Sequence, residues 1–328
     1  MNIKKIGLTA LAGSLVASTA FAGTMTMSGG AKFSYMTKGG SGVQGKDVGS
    51  HFGLDQELSA AGSAELDNGM TVSVTHLLDS TGSASSTSTL TLDMGDMGKL
   101  SYSDTDASGG LHSLDDITPT AYEEVSNGVA DDVQAGMSTG QGFAYSNTFA
   151  GAAVGIQYSD NQGAAIGTDG TTSSSAGSSS SSSIGVTYPV GDTGLTVYGG
   201  VGTEGQADST EIDHTTIGAK YAFGPVTVGM QVNDEDNSAA DNTSTTDEDL
   251  ETTIVGISFA VNENLSVSYG EHTTTSTATD AIDQELEGIN LSYSMGGMTL
   301  NIGDHEGTGI TNAAGSNDST EILLTFAF

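Results

Sequence analysis

The 328-residue chain has seven basic residues, all lysine, against 41 Asp and Glu, a formal charge of −34, and it has no Cys and no Trp. Disulfides and thiolate metal sites are therefore excluded, and nucleic acid is an implausible partner because phosphates need basic side chains. Abundant Gly, Ser and Thr would also suit a disordered chain, so periodicity has to decide.

Residues 1–22 read as an export signal. Lys4 and Lys5 precede an apolar core from Leu8 to Ala17, and Ala20-Phe21-Ala22 is a small-residue cleavage site. A single β-barrel domain is expected over 23–328. No later run is apolar for long enough to cross a bilayer as a helix.

From Thr24 the side chains alternate. Met25, Met27, Ala31, Phe33 and Tyr35 share one parity, with Thr26, Ser28, Lys32 and Ser34 on the other. That is the pattern of a strand with one apolar and one polar face. Phe52, Leu54, Leu58 and Leu66 follow, and Asp67-Asn68-Gly69 turns the chain into Met70, Val72 and Val74. Leu90 and Leu92 pass through Gly95-Asp96 to Leu100 and Tyr102. Phe143 to Phe149 turns at Ala150-Gly151 into Val154 to Tyr158, and Ile184 to Tyr188 leads to Leu195 to Val201. Ile217 to Phe223, Val226 to Val232, Val255 to Val261 and Leu265 to Tyr269 continue the series. Ile289 to Met295, Met298 to Ile302 and Ile322 to Phe328 complete it.

This predicts sixteen strands whose connections alternate between tight turns and long loops, as in a transmembrane barrel. Among Phe and Tyr, all but Phe21, Tyr122 and Tyr198 fall on the apolar parity, gathered near strand ends. Two aromatic belts around an aliphatic band fit two membrane interfaces. Because strands in lipid must pair every backbone group, the sheet has to close, with its apolar face outward and its polar face lining a wet lumen. The expected fold is therefore an all-β, 16-stranded antiparallel transmembrane β-barrel.

The third long connection, 103–141, stands out. It holds Asp104, Asp106, Asp115, Asp116, Glu123, Glu124, Asp131 and Asp132 and no lysine. So long an insertion is expected to be functional, and we expect it to fold into the pore. Lumen-parity wall residues add Asp55, Glu57, Glu65, Asp93 and Glu321, opposed by Lys32, Lys99 and Lys220. Carboxylates in a confined pore favour cations.

These features resemble the general diffusion porins of Gram-negative outer membranes, most closely those of alphaproteobacteria such as Rhodobacter. The likeness spans the export signal, Thr-Met-Ser-Gly-Gly at Thr26 to Gly30, the long third loop, and the terminal Leu-Thr-Phe-Ala-Phe at Leu324 to Phe328. It implies a passive, water-filled channel for small hydrophilic solutes and ions, with long external loops and short periplasmic turns. It also implies an inward third loop, a homotrimer among outer-membrane lipids, and Phe328 as a signal to the assembly machinery. Thr120 to Glu123 is placed to cap a short helix in that loop. One departure is clear. Such porins set an Arg cluster opposite the loop, and this chain has none, so its lumen is expected to be more uniformly negative.

Other motifs carry less. Gly200 to Gly205 has dinucleotide-fingerprint spacing without a βαβ context. The six histidines have no metal-ligand spacing and are read as solvated loop residues. Asp234, Asp236 and Asp241 leave open weak binding of Ca²⁺, with a solvated outer loop the plainer reading. No cofactor and no catalytic constellation is expected. The alternatives are a substrate-specific channel, with Tyr122 and Tyr198 as the only lumen aromatics on offer, or a non-conducting adhesin or structural barrel.

Overall fold

The computed structural model describes residues 23–40, 48–79, 85–105, 107–130, 137, 140–161, 179–205, 211–237, 249–277, 280–310 and 314–327. The expected signal peptide, Asp106, Asp131, Asp132, Asp241 and Phe328 lie outside them.

All sixteen expected strands are present. β1 (Thr24–Gly40), β2 (Gly49–Glu65), β3 (Thr71–Asp79), β4 (Ser85–Asp93) and β5 (Lys99–Ser103) precede the long third connection. After it come β6 (Gly142–Phe149), β7 (Ala152–Asn161), β8 (Ser179–Pro189), β9 (Leu195–Gly205), β10 (Glu211–Phe223) and β11 (Val226–Asn237). β12 (Leu250–Ala260), β13 (Leu265–Ser276), β14 (Gln284–Met295), β15 (Met298–Thr308) and β16 (Ser316–Ala327) finish the sheet. Each pairs antiparallel with its neighbours, and β1 closes on β16 with Lys32 opposite Thr325. The barrel has no open edge, which satisfies every ladder in lipid. The turn at Asn68-Gly69 forms as expected, with Gly69 at φ 81° and Leu66 N–H bonded to the Met70 carbonyl at 2.7 Å.

Several strands run further toward the long-loop end than the apolar alternation indicates. β10 begins at Glu211 and β14 at Gln284, where Ile217 and Ile289 mark the start of the apolar pattern. Backbone pairing continues there, but a wall standing above the lipid has no reason to keep one face apolar.

Polarity is inverted relative to a soluble sheet. Ile217 is 66% exposed and Phe52 72%, whereas Gln157 and Gln231, facing inward, are 1% and 0% exposed. The two apolar clusters among the described residues both lie inside the barrel. One joins Leu111, Leu114 and Met137 of the third loop to Tyr198. The other joins Val125 and Val129 to Leu286 and Ile310.

Candidate pore constriction

These clusters hold the third loop against the inner wall, and a series of polar side chains ties it down strand by strand. A short 3-10 helix, Gly110–Leu114, starts the path, with Leu111 N–H bonded to Ser183 Oγ on β8 at 3.0 Å. On β11, Gln231 accepts from Ile117 N–H at 3.1 Å and donates to the carbonyls of Leu114, at 2.8 Å, and Asp115. On β13, His272 lies 3.4 Å from the Asp116 carboxylate, and Ser268 Oγ accepts from Ala121 N–H at 2.8 Å. On β16, Glu321 accepts from Tyr122 Oη at 2.9 Å and Asn127 Nδ2 at 3.0 Å, while Asn317 donates to the Val129 carbonyl at 2.9 Å.

Beneath the loop the inward positions are glycines in register. Gly155, Gly185 and Gly200 line up across β7 to β9 under the 3-10 helix. Gly229, Gly256, Gly270 and Gly288 do so across β11 to β14 under Thr118 to Val125. A Cβ at Gly200 would stand 2.8 Å from Leu111 Cδ1, and one at Gly229 2.7 Å from Pro119 Cδ. The missing side chains form a track in which the loop backbone lies.

The sequence-selected residues distribute unevenly around this arrangement. Asp116 is 3% exposed and points into the wall at His272 rather than into open water. Asp104 accepts from Ser88 N–H at 2.7 Å and ties the loop's start to β4. Asp115 and Glu124 are half-buried along the loop, and Glu123 is exposed. Although its surface opens to the lumen, the protein crowded around the Glu123 carboxyl strips enough water from it to hold it above the usual carboxylate range. The Glu321 charge adds to this, and Lys32 pulls the other way. Burial and Glu321 likewise push the Tyr122 phenol up. Next to β16 in the closed sheet, on β1 and β2, Lys32 Nζ sits 2.8 Å from Glu57 and 3.6 Å from Asp55. These three border a cavity of 580 Å³.

Asp93 and Lys99 pair at 3.1 Å beside the short turn after β4, away from this group. Lys220 is exposed near the short-turn end of β10, paired in register with Thr196 and Gly229. Asp234 and Asp236 share the outward parity of Met230 and Val232 and are exposed on the outer face of β11. No group of three metal-ligating side chains is found among the described residues.

Two expectations change. Thr120 caps no helix; its hydroxyl accepts from Tyr122 N–H at 3.3 Å and donates to the Glu123 carbonyl at 2.8 Å, closing a turn. The 3-10 helix lies instead ten residues earlier in the loop. Nor are all the histidines solvated: His214, His272 and His305 are 4%, 4% and 3% exposed, inward on β10, β13 and β15. Sequence reading passed over these, and over Gln231, Asn290 and Asn317. The available signal was a polar parity that switches from Ser and Thr to amides and imidazoles where the loop docks.

Comparison with known proteins agrees with this geometry. A solved porin refined at 1.8 Å resolution matches with a TM-score of 0.67 at 16% identity, covering 93% of this chain and 100% of that one. An anion-selective porin from Comamonas acidovorans gives 0.65 at 16% identity, with 93% and 99% covered. A Rh. blastica porin mutant gives 0.61 at 12%, with 93% and 100% covered. No curated protein sequence matches significantly. A family model for Gram-negative porins, however, matches residues 7–304. With that match over a closed 16-stranded barrel, the chain belongs to the Gram-negative porin family, outer-membrane channels for passive diffusion.

Proposed function

We propose that the chain forms a cation-selective pore for small hydrophilic solutes and ions, narrowed by its third loop. The observation that carries this reading is the charge at the narrowing. Lys32 is already held between Asp55 and Glu57, and Glu123 of the loop and Glu321 of the adjoining β16 add two more carboxylates. A low-dielectric wall focuses the excess negative field, enriching cations and depleting anions. The two inward aromatics offer no track for a specific solute. Tyr198 is packed under the loop and Tyr122 is spent on Glu321.

The working form in this reading is a homotrimer joined through the outer face of β1 and β2. Phe33 and Phe52 stack there at 5.9 Å, and Tyr35 packs on Phe52 at 4.9 Å.

Reversal potentials in a tenfold KCl gradient test the selectivity. Cation preference should fade as salt rises, since the Debye length shrinks from about 10 Å at 0.1 M to about 3 Å at 1 M. Joint replacement of Glu123 and Glu321 by Gln should reduce it. An anion-selective pore refutes the field argument, and a silent barrel refutes the channel.

A further inference from the structure

The loop turn that carries Glu123 is tied to β14 and β15 by a chain of three hydrogen bonds with an unusual proton count. Asn290 Nδ2 donates to the Glu123 carbonyl at 2.8 Å. Asn290 Oδ1 faces His305 Nε2 at 3.1 Å, and His305 Nδ1 faces the Asn127 carbonyl at 3.1 Å. Both ends of this chain are carbonyl oxygens, which only accept. Three contacts need three protons, and the amide supplies one of them. The imidazole must supply the other two, and a neutral ring has one. Turning the Asn290 amide over only moves the deficit, because Oδ1 would then face the Glu123 carbonyl. Asn290 and His305 are 2% and 3% exposed, so a missing proton leaves a buried acceptor unsatisfied.

The charges around the ring bear on its proton. β16 brings the Glu321 carboxylate and β15 itself Asp304. β14 contributes only Gly288 and Asn290. The loop brings Glu123, and Tyr122 through its bond to Glu321. β1 adds Lys38, whose Cε lies beside Gly128 and Ser319. We propose that His305 is a positioning residue for the constriction. As an imidazolium it completes the chain that ties Glu123 and Asn127 to the wall. On losing a proton it drops one link, so aperture and charge follow pH across the histidine range. This rests on the loop being the constriction.

The test is single-channel conductance and KCl reversal potential of the full-length protein in planar bilayers, scanned from about pH 5 to 8. Wild type should show a step in the cation-to-anion permeability ratio on the order of two-fold, rising with pH. His305→Gln should be flat through that window, His305→Arg should hold the low-pH value throughout, and His272→Gln should keep the step. An unchanged step in His305→Gln overturns the proposal. So does a change of equal size at every pH, which would mark packing alone. Should His305→Gln fail to assemble, Asn290→Leu carries the test. Removing the acceptor at Nε2 should move the step to lower pH, and an unmoved midpoint overturns the idea. A barrel that does not conduct, or whose conductance ignores removal of the loop, defeats the constriction reading instead.

Discussion

Two walls of the same barrel use one alternating pattern for different ends. From β7 to β16 many inward positions are glycines, amides and imidazoles, and the third loop lies on them. From β1 to β5 the inward positions include Lys32, Asp55, Glu57, Asp93 and Lys99, and their side chains stay partly exposed. Inward polarity alone therefore does not mark the pore lining. What separates the walls is side-chain size and hydrogen-bonding type: the first wall is shaped to hold backbone, the second to face water.

The contrast is sharpest where each wall pairs an acid with a basic side chain. The Asp116 and His272 side chains are 3% and 5% exposed, whereas those of Lys99 and Asp93 are 60% and 38% exposed. Asp116→Ala should cost about 1–3 kcal/mol, because it strands a buried imidazole nitrogen. Lys99→Ala should cost at most about 1 kcal/mol. The temperature at which the folded band converts on a gel reads both, and equal shifts would erase the distinction between the walls.

Volume gives a second, smaller contrast. Gly229→Val drives a side chain into Pro119 and should cost about 1–3 kcal/mol by overpacking, with altered conductance. A Cβ at Gly30, on the open wall, meets only the Phe326 carbonyl, at 3.4 Å, so Gly30→Ala should leave conductance nearly unchanged. Current noise in bilayers would expose a loop that is indifferent to both. Lys32→Glu should raise cation preference further, though modestly, since Asp55 and Glu57 already offset that lysine. The smallest effect expected is in the acid range. With its affinity for protons raised, Glu123 loses its charge at a higher pH than an ordinary carboxylate. Selectivity should therefore fall a second time below the histidine range, sooner than an ordinary carboxylate would cause, and Glu123→Gln should remove the early part of that second fall.

The barrel was legible because lipid imposes a simple rule: every second residue from Met25 to Tyr35, or from Val226 to Val232, must be apolar. The third loop was legible by its length. Its contacts were not. Asp116 looked like one more pore carboxylate because nothing local distinguishes it from Glu123; only His272, 156 positions further on, decides that it is buried. Lys32 looked like one of three charges opposing the carboxylates, but its partners Asp55 and Glu57 come from the neighbouring strand and depend on the register between β1 and β2. Parity is a property of one segment, whereas pairing of charges is a property of two.

The glycine track has a consequence for how such a pore can be resized. A loop lying on backbone rests at a height set by what is absent from the wall, so each added methyl works like a shim. Alanine at Gly256, whose Cβ would meet Thr118 Oγ1 at 3.0 Å, lifts the loop slightly toward the axis without changing any charge. Alanine at Gly270, under Val125 at 3.1 Å, lifts it at a neighbouring point. The aperture can thus be trimmed in small increments from the scaffold side, leaving the selectivity of the rim to be set independently.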